Sequence, residues 1–511
     1  MEEKFKEKFV TDSGYIFVSS LTVNFFMTIN SIIIARILGP EKLGTFSILQ
    51  YLGGVIIMFA SINLPITVTK FVAEHRAFDK NVIGRIIGNV SLFLLISTFF
   101  LLFLIFFFSG LIANYYNKPN IGFLLKIYCF FVFLSVFNSL GISILAGFQK
   151  MKLISKLNVT LALLGIPVTL ILVYYFGVLG AIFSLIINSS VSITIYMINI
   201  PKLLKIEEIK IDFSVDRELT KKLISYAIPL FVSGVAYTIF QLFGPTILSV
   251  RENFTDVGVY KVAFGIYTLV LFIPNAINYN LLPAVSNLSV GKQEQIALFI
   301  SKLLKIVMFI TLPVILCGSL FSKGAILMLF GANYIDAVGI THILITSTFF
   351  VSLISAMSAV LMGIKRTKIL MYIDITLSLS FIVFSYFLII KYGLMGLAYT
   401  YLVVYVPIAF IEFLMLSKYI KLQYELLIQP FIVSIIFLVA SFAITESLTG
   451  IYLFSVDILM IATALFVEWK LFEKEDKEMI FIIVKSISKK LNLRGKEIIY
   501  LKKFFNRHRE V

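Results

Sequence analysis

Residues 145–180 read LAGFQKMKLISKLNVTLALLGIPVTLILVYYFGVLG, and 216 positions further on residues 361–396 read LMGIKRTKILMYIDITLSLSFIVFSYFLIIKYGLMG. The two stretches align without a gap. Leu145, Gly147, Lys152, Thr160, Leu172, Gly177 and Gly180 fall on Leu361, Gly363, Lys368, Thr376, Leu388, Gly393 and Gly396. Lys150 falls on Arg366, and the polar pair Asn158 and Asp374 coincide inside otherwise apolar runs. Each copy is a short basic loop, an apolar helix, a Gly-x-x-Gly turn and the start of another helix. Any two membrane hairpins share hydropathy, but these also share loop charges and glycines. Self-similarity at such a period points to a duplicated architecture.

The composition says what kind of architecture was duplicated. Of 511 residues, 59% are hydrophobic and only 14% are charged, which excludes a soluble fold and implies a polytopic membrane protein. The net charge of +16 does not imply nucleic-acid binding, because the basic residues are scattered between apolar spans. Cys129 and Cys317 sit in apolar runs, and His75, His342 and His508 are far apart, so neither a disulfide framework nor a metal site is expected. No nucleophile–base pair, nucleotide motif or phosphate-cradling loop occurs. A cofactor and an enzymatic activity are therefore not expected. The charged start, MEEKFKEKF, leads into a long apolar span and reads as an uncleaved first helix.

With about 20 apolar residues per crossing, fourteen transmembrane helices are expected between residues 12 and 471. On alternate sides of those spans the basic residues divide 36 to 8, out of 44 in all. That asymmetry predicts both termini in the cytoplasm and an even number of helices. The repeat matches helices 5 and 6 to helices 11 and 12, so the expected fold is all-α. It has two six-helix lobes in parallel pseudo-two-fold repeat and two C-terminal helices. The corresponding divisions are an N-lobe at 1–205, a C-lobe at 206–421, a helix pair at 422–472 and a basic tail at 473–511. Lys202–Lys222, the widest polar connection, reads as the link between lobes. In the tail, apolar residues recur every three to four positions among lysines. That pattern suits either a helix lying on anionic membrane lipids or a solvated segment that enforces topology.

The first hairpin carries a more specific pattern. IIIARILGPEKLGTFSI at 32–48 and INLPITVTKFVAEHRA at 62–77 resemble the start of the polysaccharide transporter family, the oligosaccharide flippases. These belong to the multidrug/oligosaccharidyl-lipid/polysaccharide exporter superfamily. SVRENFTDVGVYKVAF at 249–264 is similar to the equivalent hairpin of the second half, with Gly258 standing where Gly44 stands. The second half lacks an Arg-x-x-Gly-Pro run, so Arg251 is not a clean counterpart of Arg36. The resemblance implies two lobes around a central cavity and alternating access. The implied partners are a lipid-linked oligosaccharide as substrate and glycan-assembly enzymes as suppliers. A cation-coupled small-molecule exporter of the same fold is the alternative, and a membrane-embedded glycosyltransferase is a third reading that the short loops disfavour.

A polyprenyl-diphosphate glycan needs cations for its head and hydrogen-bonding groups for its sugars. Arg36, Lys70, Arg251 and Lys261 are the candidate cations, with Lys126 as an outlier. Each could equally be a snorkelling side chain at a helix end. Asn24, Asn30, Asn63, Gln241, Asn275, Asn278 and Asn280 are the candidate polar contacts, with interhelical hydrogen bonding as their structural alternative. Asp374 is the candidate for coupling to a proton or sodium ion, or else a partner of Lys368, and Glu412 and Asp457 are weaker cases.

Overall fold

The computed structural model describes the backbone of residues 2–76, 78–214, 216–288, 293–364, 366–447 and 451–472. Side chains at 1–18, 236, 272–296, 367, 444–455, 457 and 468 lie outside the description, as does the tail expected to lie on lipid. Among the described residues the protein is helical and contains no strand. The elements are α1 (Glu2–Ser61), α2 (Leu64–His75), α3 (Lys80–Tyr115), α4 (Pro119–Gly147), α5 (Met151–Ile206), α6 (Arg217–Arg251) and α7 (Phe254–Leu288). They continue with α8 (Gln293–Ala325), α9 (Ala337–Gly363), α10 (Thr367–Ser417), α11 (Glu425–Ser447) and α12 (Ile451–Leu471).

Ten described stretches are long and apolar enough to cross a membrane, and those in α1, α5 and α10 are long enough to cross twice. These three bend at a glycine with positive φ: Gly39 (φ 73°), Gly177 (φ 56°) and Gly393 (φ 54°). The bends, with α12 added, accord with the fourteen crossings expected. Many large apolar side chains face outward, Phe99, Phe100, Phe103, Phe106 and Phe107 on α3 among them. A soluble protein does not tolerate such a surface, whereas lipid solvates it.

The two copies of the repeat have the same local geometry. Gly177 has ψ −128° and Gly393 has ψ −133°. Three positions after each bend, Gly180 lies against the carbonyl of Leu172, and Gly396 lies against that of Leu388. A Cβ at either place would collide with backbone, so only glycine lets the two limbs fold this closely. At the start of each copy, Lys150 N–H donates to Leu145 O at 2.9 Å, and Arg366 N–H donates to Leu361 O at 2.8 Å. The residue match seen in sequence is therefore a match of backbone structure.

The described chain divides into two compact units. The first comprises 1–262 with 327–336 and 385–397, and the second comprises 263–326, 337–384 and 398 onward. In the first unit the core gathers Leu64, Val68 and Val72 of α2, Ile83, Ile86 and Val90 of α3, Val136 and Leu145 of α4, and Leu204 of α5. The connection after α5 is strapped to this core rather than left loose. Asp212 N–H donates to Gly84 O at 3.2 Å, and Asn89 Nδ2 donates to Ser214 O at 3.0 Å. Three ion pairs of 3.1 Å flank the strap: Arg76–Glu207, Lys80–Glu208 and Arg85–Asp216. Beside them, Ser214 N–H donates to the Asp212 carboxylate, which holds that carboxyl below its ordinary range.

In the second unit α9 is the central helix, with Ile340, Leu344, Ile345, Phe349, Ala356 and Val360 all buried. A helix apolar all round is expected at the centre of a bundle. The end of α12 is fixed to α8, because Lys305 Nζ donates to Leu471 O at 2.8 Å. Phe472 packs edge-on against Phe309, with ring centroids 4.4 Å apart. A lysine on the last carbonyls of a helix satisfies groups that have no partner within the helix.

Candidate functional site

The candidate residues at 24–261 belong to the first unit. Two hairpin ends meet there through small residues: Gly44 lies against Phe254 O and Gly258 N, and Gly258 lies against Pro40 O and Gly44 N. The contact is reciprocal, as expected for corresponding segments of two repeats. Lys118 closes over it, donating to Glu41 Oε1 at 2.8 Å and Thr45 Oγ1 at 3.0 Å, with the Phe254 ring centroid 4.3 Å away.

Less than one turn beyond Gly258, Lys261 is half-buried and its Nζ lies 5.3 Å from the centroid of the Tyr51 ring. Among the described residues no carboxylate lies within ion-pair distance of it. Seven residues from the start of α7, at 1.5 Å per residue, it sits about 10 Å along the helix. An intramembrane cation set against an aromatic face, without a counter-ion, has capacity for an anion.

The other cations are placed differently. Arg36 is exposed, and its guanidinium donates to Met328 O at 2.6 Å. The preceding carbonyl, Ala35 O, accepts from Tyr334 Oη at 2.8 Å. Arg36 is thus held in place by the 327–336 segment, with donors to spare. Arg251 is exposed at the end of α6. On the offset that pairs Gly44 with Gly258 it corresponds to Ile37, not Arg36. Lys70 is exposed, with its Nζ 3.8 Å from the Tyr226 ring centroid and 5.2 Å from that of Phe71. Lys126 is exposed over the Phe106 ring at 4.5 Å.

Several of the polar candidates hold the framework. Asn63 has φ 55° and with Ile62 forms the break between α1 and α2, a backbone region that Asn tolerates. Its Nδ2 donates to Leu230 O of α6 at 2.8 Å. Gln241 Nε2 bonds Tyr237 Oη one turn back at 2.6 Å. Asn24 is exposed on α1 and its carbonyl accepts from Thr28. Asn30 Oδ1 is buried without a partner among the described residues, which makes it the amide with capacity for a new contact. Asn278, like Asn275 and Asn280, lies among side chains outside the description. The sequence reading passed over Tyr51 and Tyr226, the ring partners of Lys261 and Lys70. Both rings come from a different helix, so no local spacing signals them.

In the second unit Asp374 is exposed on α10, whereas Glu412 on the same helix beyond the bend is fully buried. Glu412 Oε1 accepts from Ser358 Oγ at 2.7 Å, and its Oε2 is buried without a partner among the described residues. Asp374 and Glu412 lie within electrostatic reach of one another. The same unit encloses an apolar cavity of about 510 Å³ between α8, α9, α10 and α11, walled by Met308, Phe350, Met357, Phe410 and Phe431.

Long apolar helices, three of them bent at a glycine, define a polytopic membrane fold. Solved structures agree. The chain superposes on the lipid II flippase MurJ in an inward closed conformation with a TM-score of 0.72, covering 90% of this chain and 99% of that one at 17% identity. It superposes on an inward-facing multidrug resistance MATE family transporter of the MOP superfamily with a TM-score of 0.65, covering 78% and 94% at 19% identity. The family model described as "Polysaccharide biosynthesis protein" matches residues 9–289, and the chain belongs to that family. A relative from Shigella flexneri named "Putative O-antigen transporter" is 26% identical over 374 residues, 71% of this chain and 87% of that one. The protein is a multi-pass membrane protein of that family, with the fold seen in these solved transporters.

Proposed function

We propose that the protein moves a lipid-linked oligosaccharide, a polyprenyl-(di)phosphate glycan, across the cell membrane by alternating access. In this reading it is a carrier and not an enzyme, and both termini face the cytoplasm. The two six-helix halves at 1–205 and 206–421 are its moving lobes, with 422–472 and the basic tail outside them. Glycan-assembly enzymes supply its substrate. The observation that carries this reading is Lys261, a cation in an apolar span held against Tyr51, with no carboxylate within ion-pair distance among the described residues. A phosphate group would supply the missing counter-charge in a medium where an uncompensated charge is costly. Arg36, Arg251 and Lys70 add positive charge, and Asn24, Asn63, Gln241 and Asn278 are assigned to the sugars. Asn63 and Gln241 would contact them through atoms not spent on Leu230 and Tyr237.

Ion coupling is assigned to Asp374, with Glu412 as its buried neighbour. These carboxylates also favour a second reading, a cation-coupled small-molecule exporter. Vesicles containing the purified protein separate the two. Flipping of a fluorescent polyprenyl-diphosphate glycan, with no efflux of small organic cations under a proton or sodium gradient, is expected. Efflux of the cations without flipping of the glycan would overturn the proposal.

A further inference from the structure

Away from the intramembrane cations, positive charge is concentrated at the turn between α4 and α5. Gln149 takes φ 55° there, which ends α4 and lets α5 begin two residues later. Lys150 occupies the cap position of α5 and its side chain caps nothing. Around this turn is an open pocket of about 500 Å³ whose cations are Arg76, Lys150, Lys152 and Lys156. Phe148, which is buried, and Leu153 supply an apolar wall.

The pocket is built from distant parts of the chain. Arg76 arrives from the end of α2, and its guanidinium is fixed by Phe148 O at 3.0 Å and Glu207 Oε1 at 3.1 Å. Glu207 offsets one of the four cations. Among the described residues no carboxylate lies within ion-pair distance of Lys150 or Lys156, so the pocket keeps a surplus of positive charge. The pocket also lies at the N-terminal end of α5, and a helix N-terminus favours an anion. The surrounding turn belongs to the face that gathers most of the basic loops.

We infer that this pocket binds the phosphate headgroup of an anionic lipid. Basic pockets between helix ends on the positively charged face of a membrane protein suit such headgroups. Phosphate answers the cations, and Phe148 with Leu153 answers the apolar stem to which a lipid phosphate is attached. Such a headgroup has two sources, an anionic phospholipid of the bilayer or the diphosphate of a polyprenyl carrier. The site is separate from Lys261 and does not depend on the glycan reading.

The test uses the full-length protein in detergent, offered phosphatidylglycerol and phosphatidylcholine in equal amounts and read by native mass spectrometry. Retention of phosphatidylglycerol over phosphatidylcholine by about tenfold is expected for the wild type. It should fall to near parity in Lys150→Gln/Lys156→Gln. The double variant Lys418→Gln/Lys421→Gln removes the same charge from two exposed positions elsewhere and should leave the preference intact. Polyprenyl diphosphate added as a competitor then separates the sources. Displacement of phosphatidylglycerol supports a pocket that accepts a carrier's diphosphate, and failure to displace supports a phospholipid site. An unchanged preference in Lys150→Gln/Lys156→Gln, or an equal loss in the Lys418/Lys421 pair, would overturn the inference.

Discussion

The two copies of the repeat, 145–180 and 361–396, share a backbone and differ in chemistry. Both bend at a glycine with φ near 55° and ψ near −130°, and both seat a second glycine on a carbonyl of the preceding limb. Their side-chain surroundings diverge. Leu38 Cδ2 lies 4.0 Å from where a Cβ on Gly177 would stand, whereas the carboxylate of Glu252 lies 3.3 Å from where a Cβ on Gly393 would stand. Lys150 opens onto a basic pocket, whereas Arg366 stacks over the Tyr419 ring at 4.5 Å. Asn158 in one copy is Asp374 in the other. The glycines that shape the chain are held in common, whereas the surroundings of the loop cations and the charge at 158 and 374 differ. One frame thus serves two chemical tasks.

The most damaging way to break that equivalence is at Gly180 and Gly396. Ala at either would drive a Cβ into backbone, and each is expected to destabilise by about 3 kcal/mol, the upper range for overpacking. The two losses should agree within about 0.5 kcal/mol in unfolding of the purified protein; a large loss at one and none at the other would show that the copies are not equivalent. A smaller effect is expected at the bends. Gly177→Ala and Gly393→Ala should each cost about 2 kcal/mol, because φ near 55° with ψ near −130° lies outside the left-handed well that other residues tolerate. Gly393→Ala should lose somewhat more, because its methyl group would meet Glu252. Smallest is the strap that follows the first copy. Arg85→Gln breaks a part-exposed pair with Asp216 and should cost at most about 0.5 kcal/mol. Lowering the pH in an unfolding measurement should remove the contribution of the Ser214–Asp212 bond progressively, beginning at the ordinary carboxylate range and complete below the depressed pKa of Asp212, because that bond needs the charged carboxylate.

How much of this was legible in the sequence depends on whether the cause was local. The bends could be read because Gly-x-x-Gly at a fixed offset is a backbone requirement carried by the residues themselves. The helices could be read because each needs its own apolar run. The strap could not. Lys202–Lys222 is polar and reads as the link between lobes, and nothing in it signals that residues 210–214 lie on Gly84, Gly88 and Asn89, more than a hundred residues away. At the candidate site, Lys261 stood out as a charge in an apolar run, but its partner Tyr51 is an aromatic among many. Asn63 stood out as a polar residue within an apolar span, and its Nδ2 proved to be bonded to Leu230. Arg36 was legible as a cation at a helix end, while its bond to Met328 depends on a segment nearly three hundred residues later.

The central claim is that an intramembrane cation of the first unit meets the substrate's phosphate, and Lys261 tests it most directly. Wild-type protein, Lys261→Ala and Lys261→Arg would be reconstituted at matched, folded amounts. The initial rate of flipping a polyprenyl-diphosphate glycan would then be measured. Loss of one charge-assisted contact, on the order of 2–3 kcal/mol, predicts a roughly 30- to 150-fold fall for Lys261→Ala, with substantial recovery in Lys261→Arg. Flipping by Lys261→Ala at the wild-type rate would contradict the account.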